Sequence, residues 1–249
     1  MQFGICHLSI VPVRANPEDS AEMISQLLYG EHFKVLECRK KWSRIRFAYD
    51  SYEGWVSNGQ FRFIEEAEYK LLDSNTPHIA SDVIAHLCTA DGSLSTVVMG
   101  SIVSNTHLLG DDYEGQSIQG KQSKSELVDC ALLYLNAPYQ WGGKTPFGID
   151  CSGFTQMVYK INGYALKRDA EQQSQQGEAL SFIEESEPGD LAFFDNSEGA
   201  ITHVGIIMED NYIIHAHGKV RIDRLDHSGI YNTDKRLHTH KLRVIKKII

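Results

Sequence analysis

The chain has no hydrophobic run fit to cross a bilayer: no window of its 249 residues approaches the ~20 apolar residues that crossing requires. It has no Cys-x-x-Cys pair. Its five cysteines, Cys6, Cys38, Cys88, Cys130 and Cys151, are widely spaced, which argues against a zinc cluster or a redox dithiol. It has no excess of positive charge. A net charge of −9 weighs against nucleic acid and anionic membranes as partners, since either asks for a cationic face. Its glycine-rich stretches lack the Gly-Lys-Ser/Thr of a phosphate loop, and His203 and His215 lack metal-ligand spacing, so no metal or other cofactor is expected. The N-terminus, Met1-Gln2-Phe3-Gly4-Ile5-Cys6-His7, lacks the basic start and apolar core of a signal peptide. With thiols that read as reduced, the expectation is a cytoplasmic protein.

What is present is ordinary globular composition, 42% apolar and 23% charged, in a chain long enough for two or three small domains. Residues 1–66 read as short strands and turns of a small β-barrel. Within them Trp42 to Ala48 alternates, Ile45 and Phe47 on one face and Arg44 and Arg46 on the other. Residues 67–120 hold two strand-like stretches, Val83 to Cys88 and Leu94 to Val103, which suit a second, shorter barrel and a linker, with 111–117 as loop. From 121 to 249 the texture changes. Ser123 and Glu126 have capping-box spacing ahead of a helical stripe, Leu127, Ala131 and Leu135, which Pro138 stops. A second helix runs from Cys151 to about Ile161, and the polar run 169–176 reads as a solvated helix ended by Gly177. Strands follow: Leu191 to Phe194, His203 to Met208, Tyr212 to Ala216 and Val220 to Leu225. Helices followed by consecutive antiparallel strands make an α+β domain.

The chemistry gathers at Cys151. Gly142, Gly143 and Gly148 lead to a lone cysteine at a helix start, and a cysteine attacks amides only as a thiolate. The helix N-terminus and a histidine imidazolium are two devices for lowering the thiol pKa, and the free N–H of Cys151 suits an oxyanion hole. Among eleven histidines, His203 opens one strand and His215 closes the next. A hairpin loop at 208–210 sets the two opposite each other on one face, with Cys151 as nucleophile, His203 as base and His215 as the group that orients it. His217 shares that face two residues further on; the remaining histidines, His240 included, have no comparable context. The bland readings stand beside these: a packed thiol for Cys151, a satisfied strand histidine for His215, an N-cap before a substrate ligand for Asp150, and a core aromatic as readily as a pocket wall for Trp141.

These residues resemble a family. Pro138-Tyr139-x-Trp141-Gly142-Gly143, Asp150-Cys151-Ser152-Gly153-Phe154, Arg168-Asp169-Ala170, Pro188-Gly189-Asp190-Leu191, His203-Val204-Gly205-Ile206 and Ile214-His215-Ala216 resemble the NlpC/P60 papain-like cysteine peptidases of bacterial cell walls. Val13-Arg14, Leu27 to Glu31, Trp42 and Tyr52 to Val56 resemble a bacterial SH3-like (SH3b) domain. The resemblance implies an α+β fold, a papain-like catalytic domain over 121–249 preceded by one or more small all-β SH3-like barrels. It implies Cys151, His203 and His215 as catalytic residues and Tyr139, Trp141, Asp150 and Ser152 on the substrate side. The pairing of the two domains resembles the γ-D-glutamyl-L-diamino acid endopeptidases. That implies cleavage of the γ-D-Glu to L-Lys or meso-diaminopimelate amide in peptidoglycan-derived peptides with a free N-terminal L-Ala, in peptide recycling. In that subgroup the SH3b domain helps close the site, and Asp150 with Glu53 or Tyr52 would read the amine. The alternative is an exported wall hydrolase that uses SH3b to hold the wall.

Overall fold

The computed structural model describes residues 2–249; Met1, where the signal-peptide reading begins, lies outside the described residues. The chain forms two compact units, one of Met1–Lys121 with Trp141–Pro146, the other of Gln122–Gln140 with Phe147–Ile249.

In the first unit, seven strands form one sheet: Gln2–Ile5, Ile10–Arg14, Met23–Leu28, His32–Cys38, Trp42–Phe47, Glu53–Ser57 and Arg62–Ile64. Every pairing is antiparallel, and the inward side chains, among them Val11, Val13, Leu27, Phe33, Ile45 and Val56, form one core. Trp42–Phe47 alternates as its sequence predicts, Ile45 and Phe47 buried and Arg44 and Arg46 exposed. The turn after Met23–Leu28 needs glycine: Gly30 has φ +76°, and a Cβ there would collide with the Ile102 carbonyl.

Residues 67–120 differ from the expectation of strands and linker alone. A helix, Glu66–Ser74, stands at their start, closed by a reciprocal capping box between Glu65 and Glu68. Ile84–Cys88 pairs with Leu94–Val98 and Asp112–Tyr113, so part of the stretch read as loop is strand. Leu87, Val97, Val103 and Leu109 share a core with Ile5 and Tyr29. The segment buries its apolar side chains against the first barrel's own residues.

Lys144 and Glu31 are almost fully buried in this unit. Lys144 Nζ lies 3.1 and 3.4 Å from the two Glu31 carboxylate oxygens, and Glu31 Oε2 also accepts the Leu28 N–H at 2.9 Å. Lys144 N–H donates to Gln26 Oε1 at 2.7 Å. Together these bonds fix Trp141–Pro146 in the first unit.

In the second unit the strands lie in the order Glu178–Leu180, Leu237–Lys247, Leu191–Asp195, Ile201–Ile207, Tyr212–His217, Lys219–Asp226, Gly229–Asn232. Gly229–Asn232 also pairs with Leu237–Lys247. Sequence reading missed these last two strands. Leu237–Lys247 alternates poorly, with His238, His240, Lys241 and Arg243 along it. The helix expected from Ser123 runs Ser125–Leu132 without a side-chain cap, since Ser123 Oγ bonds to Ser125 Oγ instead, and Leu135 is exposed beyond its end. The polar helix is short, Ala170–Ser174, and its Gln173 is fully buried rather than solvated. Cys151–Ile161 is buried along its whole length and packs on Ile201–Ile207 and Tyr212–His217.

Breaking a buried ion pair from one side leaves an uncompensated charge. Glu31→Ala is therefore expected to cost the first unit about 3–5 kcal/mol, read as a fall in its urea-unfolding midpoint. A midpoint within error of the parent's would sink this account of Lys144.

Candidate active site

Asp150 starts the central helix. Its backbone is extended, and its side chain accepts the Gly153 N–H at 2.6 Å, an N-cap in the usual sense. The same carboxylate is gripped by Arg168, Nη2 to Oδ2 at 2.6 Å and Nη1 to Oδ1 at 3.0 Å. Arg168 is only 1% exposed, and its Nη1 also donates to Ser152 Oγ at 3.0 Å. A planar guanidinium makes this fork where an ammonium would not.

The cap places Cys151 at the first helical position, 6% exposed, with Sγ 3.9 Å from the Thr202 carbonyl. The Val204 amide also points to the sulfur. The thiol thus lies against the strand segment that carries His203. Burial pushes it up to about 12 and Asp150 adds to the rise, against the pull of the Val204 and Ser152 amides and Arg168. Burial thus opposes the lowering expected from the helix terminus. His203 is held well below its ordinary value, by burial first and then by His215, His240 and His217. Both directions favour a neutral thiol and a neutral imidazole over the ion pair.

The hairpin has a different register from the one its sequence suggests. The turn Glu209–Asn211 has Asp210 and Asn211 at φ 54° and 60°, and His215 stands opposite Gly205, not His203. His203 is two residues along the same face, so the pair meets diagonally, His203 Nε2 2.8 Å from His215 Nδ1. Glycine at 205 makes room: a Cβ there would come within 2.9 Å of the His215 Cβ.

Two residues of this cluster escaped the sequence reading. Asp223, 0% exposed, lies with Oδ2 3.1 Å from His215 Nε2 and is pulled well down by its bonds to His215, Arg221 and the Thr233 amide, which outweigh its burial. The signal was available: Arg221 and Asp223 are two apart on a strand, so they share a face. His240 stacks on His203, ring centroids 4.1 Å apart, contrary to the expectation that it has no relevant context. It sits on Leu237–Lys247, the strand that alternation did not mark.

Of the other expected site residues, Ser152 is tied into the Asp150–Arg168 group, and Tyr139 is half-exposed, its phenol raised to about 12 by burial and then by Cys151 and Asp150. Trp141, Tyr52 and Glu53 belong to the first unit. Trp141 is 61% exposed and donates to Glu22 Oε1 at 2.6 Å. Glu53 Oε1 accepts from Arg46 Nε and Nη2 at 2.9 and 2.6 Å, and Tyr52 packs on the barrel core. Among the described residues no group of three or more His, Cys, Asp or Glu side chains could hold a metal ion.

Residues 136–239 match the NlpC/P60 family, and residues 13–61 match the bacterial dipeptidyl-peptidase Sh3 domain. The γ-D-glutamyl-L-lysine dipeptidyl-peptidase of Bacillus subtilis (strain 168) is 27% identical, the match covering 77% of this chain and 71% of that protein. Dipeptidyl-peptidase 6 of Lysinibacillus sphaericus is 26% identical over 85% and 88%. The crystal structure of an NlpC/P60 family protein from Bacillus cereus ATCC 10987 shares the fold, with a TM-score of 0.81 at 20% identity over 99% of each chain.

His203, His215 and His240 all lie below the ordinary 6.5, His240 at about 4, burial being the main cause for each. The unfolded chain binds protons first as pH falls, so stability is full above about 6.5 and declines below it. The urea midpoint of the second unit should fall between pH 7.5 and 5, and His240→Phe should flatten that slope. A slope unchanged in His240→Phe would refute the assignment.

Proposed function

We propose that this chain, a cysteine peptidase of the NlpC/P60 family with a bacterial SH3 domain, cuts the amide between γ-D-Glu and the diamino acid of peptidoglycan-derived peptides. The observation that carries the reading is Cys151, at a capped helix start, lodged against the strand of a histidine that is itself bonded to a second histidine. The names of the two relatives supply the substrate class.

In this mechanism Cys151 Sγ bonds to the amide carbon while its proton passes to His203. The Cys151 N–H, unpaired within the helix, supports the oxyanion. The C–N bond breaks, and the departing amine takes the proton from His203. A thioester remains. Water then adds to it, giving its proton to His203, and the thiolate leaves and recovers that proton. His215 holds the His203 ring throughout.

Selection for a free N-terminal L-Ala is assigned to Asp150, a carboxylate suited to an ammonium, with Tyr139 and Ser152 beside it. The site of action is proposed to be the cytoplasm, on peptides recovered from the wall. Five unpaired thiols, Cys38 and Cys88 among them exposed, suit a reducing compartment.

The test is incubation with L-Ala-γ-D-Glu-L-Lys and its meso-diaminopimelate counterpart, free and N-acetylated, with products identified by mass. L-Ala-γ-D-Glu is expected from the free peptides alone, and Cys151→Ala should lower the rate by at least ~1,000-fold. Equal cleavage of acetylated peptides would remove the role of Asp150. Release of peptides from intact sacculi at a comparable rate would favour an exported wall hydrolase.

A further inference from the structure

His203 and His215 can each carry their ring proton on either nitrogen, and only one arrangement leaves a base facing the thiol. The structure assigns that choice to Asp223, as the positioning residue that fixes both tautomers through a two-imidazole relay. The inference rests on Cys151 and His203 being the reacting pair.

Asp223 is an acceptor on every side. Oδ2 receives Arg221 Nε at 2.7 Å, and Oδ1 receives Arg221 Nη2 at 2.9 Å, the Thr233 N–H at 3.3 Å and Thr233 Oγ1 at 3.4 Å. A fully buried carboxylate with these donors is ionised, so the contact with His215 Nε2 must be an N–H donated to Oδ2. His215 Nδ1 then carries a lone pair. The 2.8 Å contact between it and His203 Nε2 must be an N–H donated by His203. His203 Nδ1 is left without a proton, as a base requires. When it takes the thiol proton, the new cation is joined through His215 to a fixed anion.

Arg221 moderates that anion. It pairs with Asp223 and, through Nη2, with Asp234 Oδ2 at 2.8 Å. The other titratable groups around the two rings are His217, His240 from the long strand, and Lys235, which acts on His217 and His240, while the Cys151 thiol lies against Thr202 beside His203. Asp223 and Arg221 are the charged pair hydrogen-bonded to the relay.

Asp223→Asn keeps the shape and spoils the logic. More donors crowd Oδ1 than Oδ2, so the amide oxygen takes the Oδ1 position and the NH₂ faces His215. The His215 proton moves to Nδ1 and donates to His203 Nε2, leaving the His203 proton on Nδ1, toward the thiol. Arg221→Met leaves the carboxylate and the relay in place, with a stronger field.

The test is Cys151 alkylation by iodoacetamide as a function of pH, which reads the thiol–imidazole pair with no peptide present. Asp223→Asn should lower the plateau rate by about 10–100-fold and move the acid limb to lower pH, because a lost anion makes the imidazoles harder to protonate. Arg221→Met should move the same limb to higher pH. Ring ¹⁵N spectra should show the protonated nitrogen of His215 switching from Nε2 to Nδ1 in Asp223→Asn. Limbs that stay put, or move the same way in both variants, overturn the proposal. If circular dichroism shows Asp223→Asn unfolded, an unmoved limb in Arg221→Met is enough to overturn it. A correct alkylation pattern without peptide hydrolysis would instead count against the proposed substrate.

Discussion

The catalytic half depends on one buried carboxylate that does two jobs at once. Asp150 accepts the Gly153 N–H and so fixes where the helix begins, which is what makes Cys151 its first residue. A cap alone contributes about 1 kcal/mol. The grip of Arg168 makes the arrangement costly to undo, since releasing either partner strands a charge in the interior. Helix start, thiol position and carboxylate orientation therefore move together or not at all. Burial chiefly holds the resting thiol up, and the anion that caps its helix adds to the rise.

Buried charge recurs with a different purpose in the first unit. Lys144 and Glu31 neutralise one another and satisfy the backbone at Leu28, with the Lys144 N–H fixed by Gln26. In the second unit two buried carboxylates stand next to the candidate site, Asp150, held by Arg168 and adjoining Cys151 in sequence, and Asp223, held by Arg221 and bonded to His215. A hydrophobic pair would fill either space more cheaply. What it would lose is a fixed hydrogen-bond acceptor.

How much of this was legible in the sequence follows from range. The helix from Cys151 was readable because its cap, its glycine approach and its apolar stripe are all local. The His203–His215 partnership was readable from strand parity, but their register was not. A turn built on left-handed Asp210 and Asn211 is two residues longer than the one assumed, and parity survives a shift of two. His240 was illegible for a stronger reason. Its strand pairs with Leu191–Asp195 and Gly229–Asn232 through two register shifts, and its polar residues hide the alternation. The helix Glu66–Ser74 was overlooked inside a stretch expected to be strand and linker.

The histidine cluster then explains why so much polar structure is tolerated in one place. Four imidazoles, His203, His215, His217 and His240, lie within 6.4 Å of one another by ring centroid. Were two of them charged together, each would repel the rest in a site with little water. Burial disfavours the charged forms of His203 and His215, and Asp223, which accepts from His215, sets the direction of the hydrogen-bond chain. The His203 ring is joined, through His215, to the Asp223 carboxylate. A cluster that resists protonation from solvent is suited to hold a base at neutral pH, and the packing of His240 against His203 adds to that exclusion.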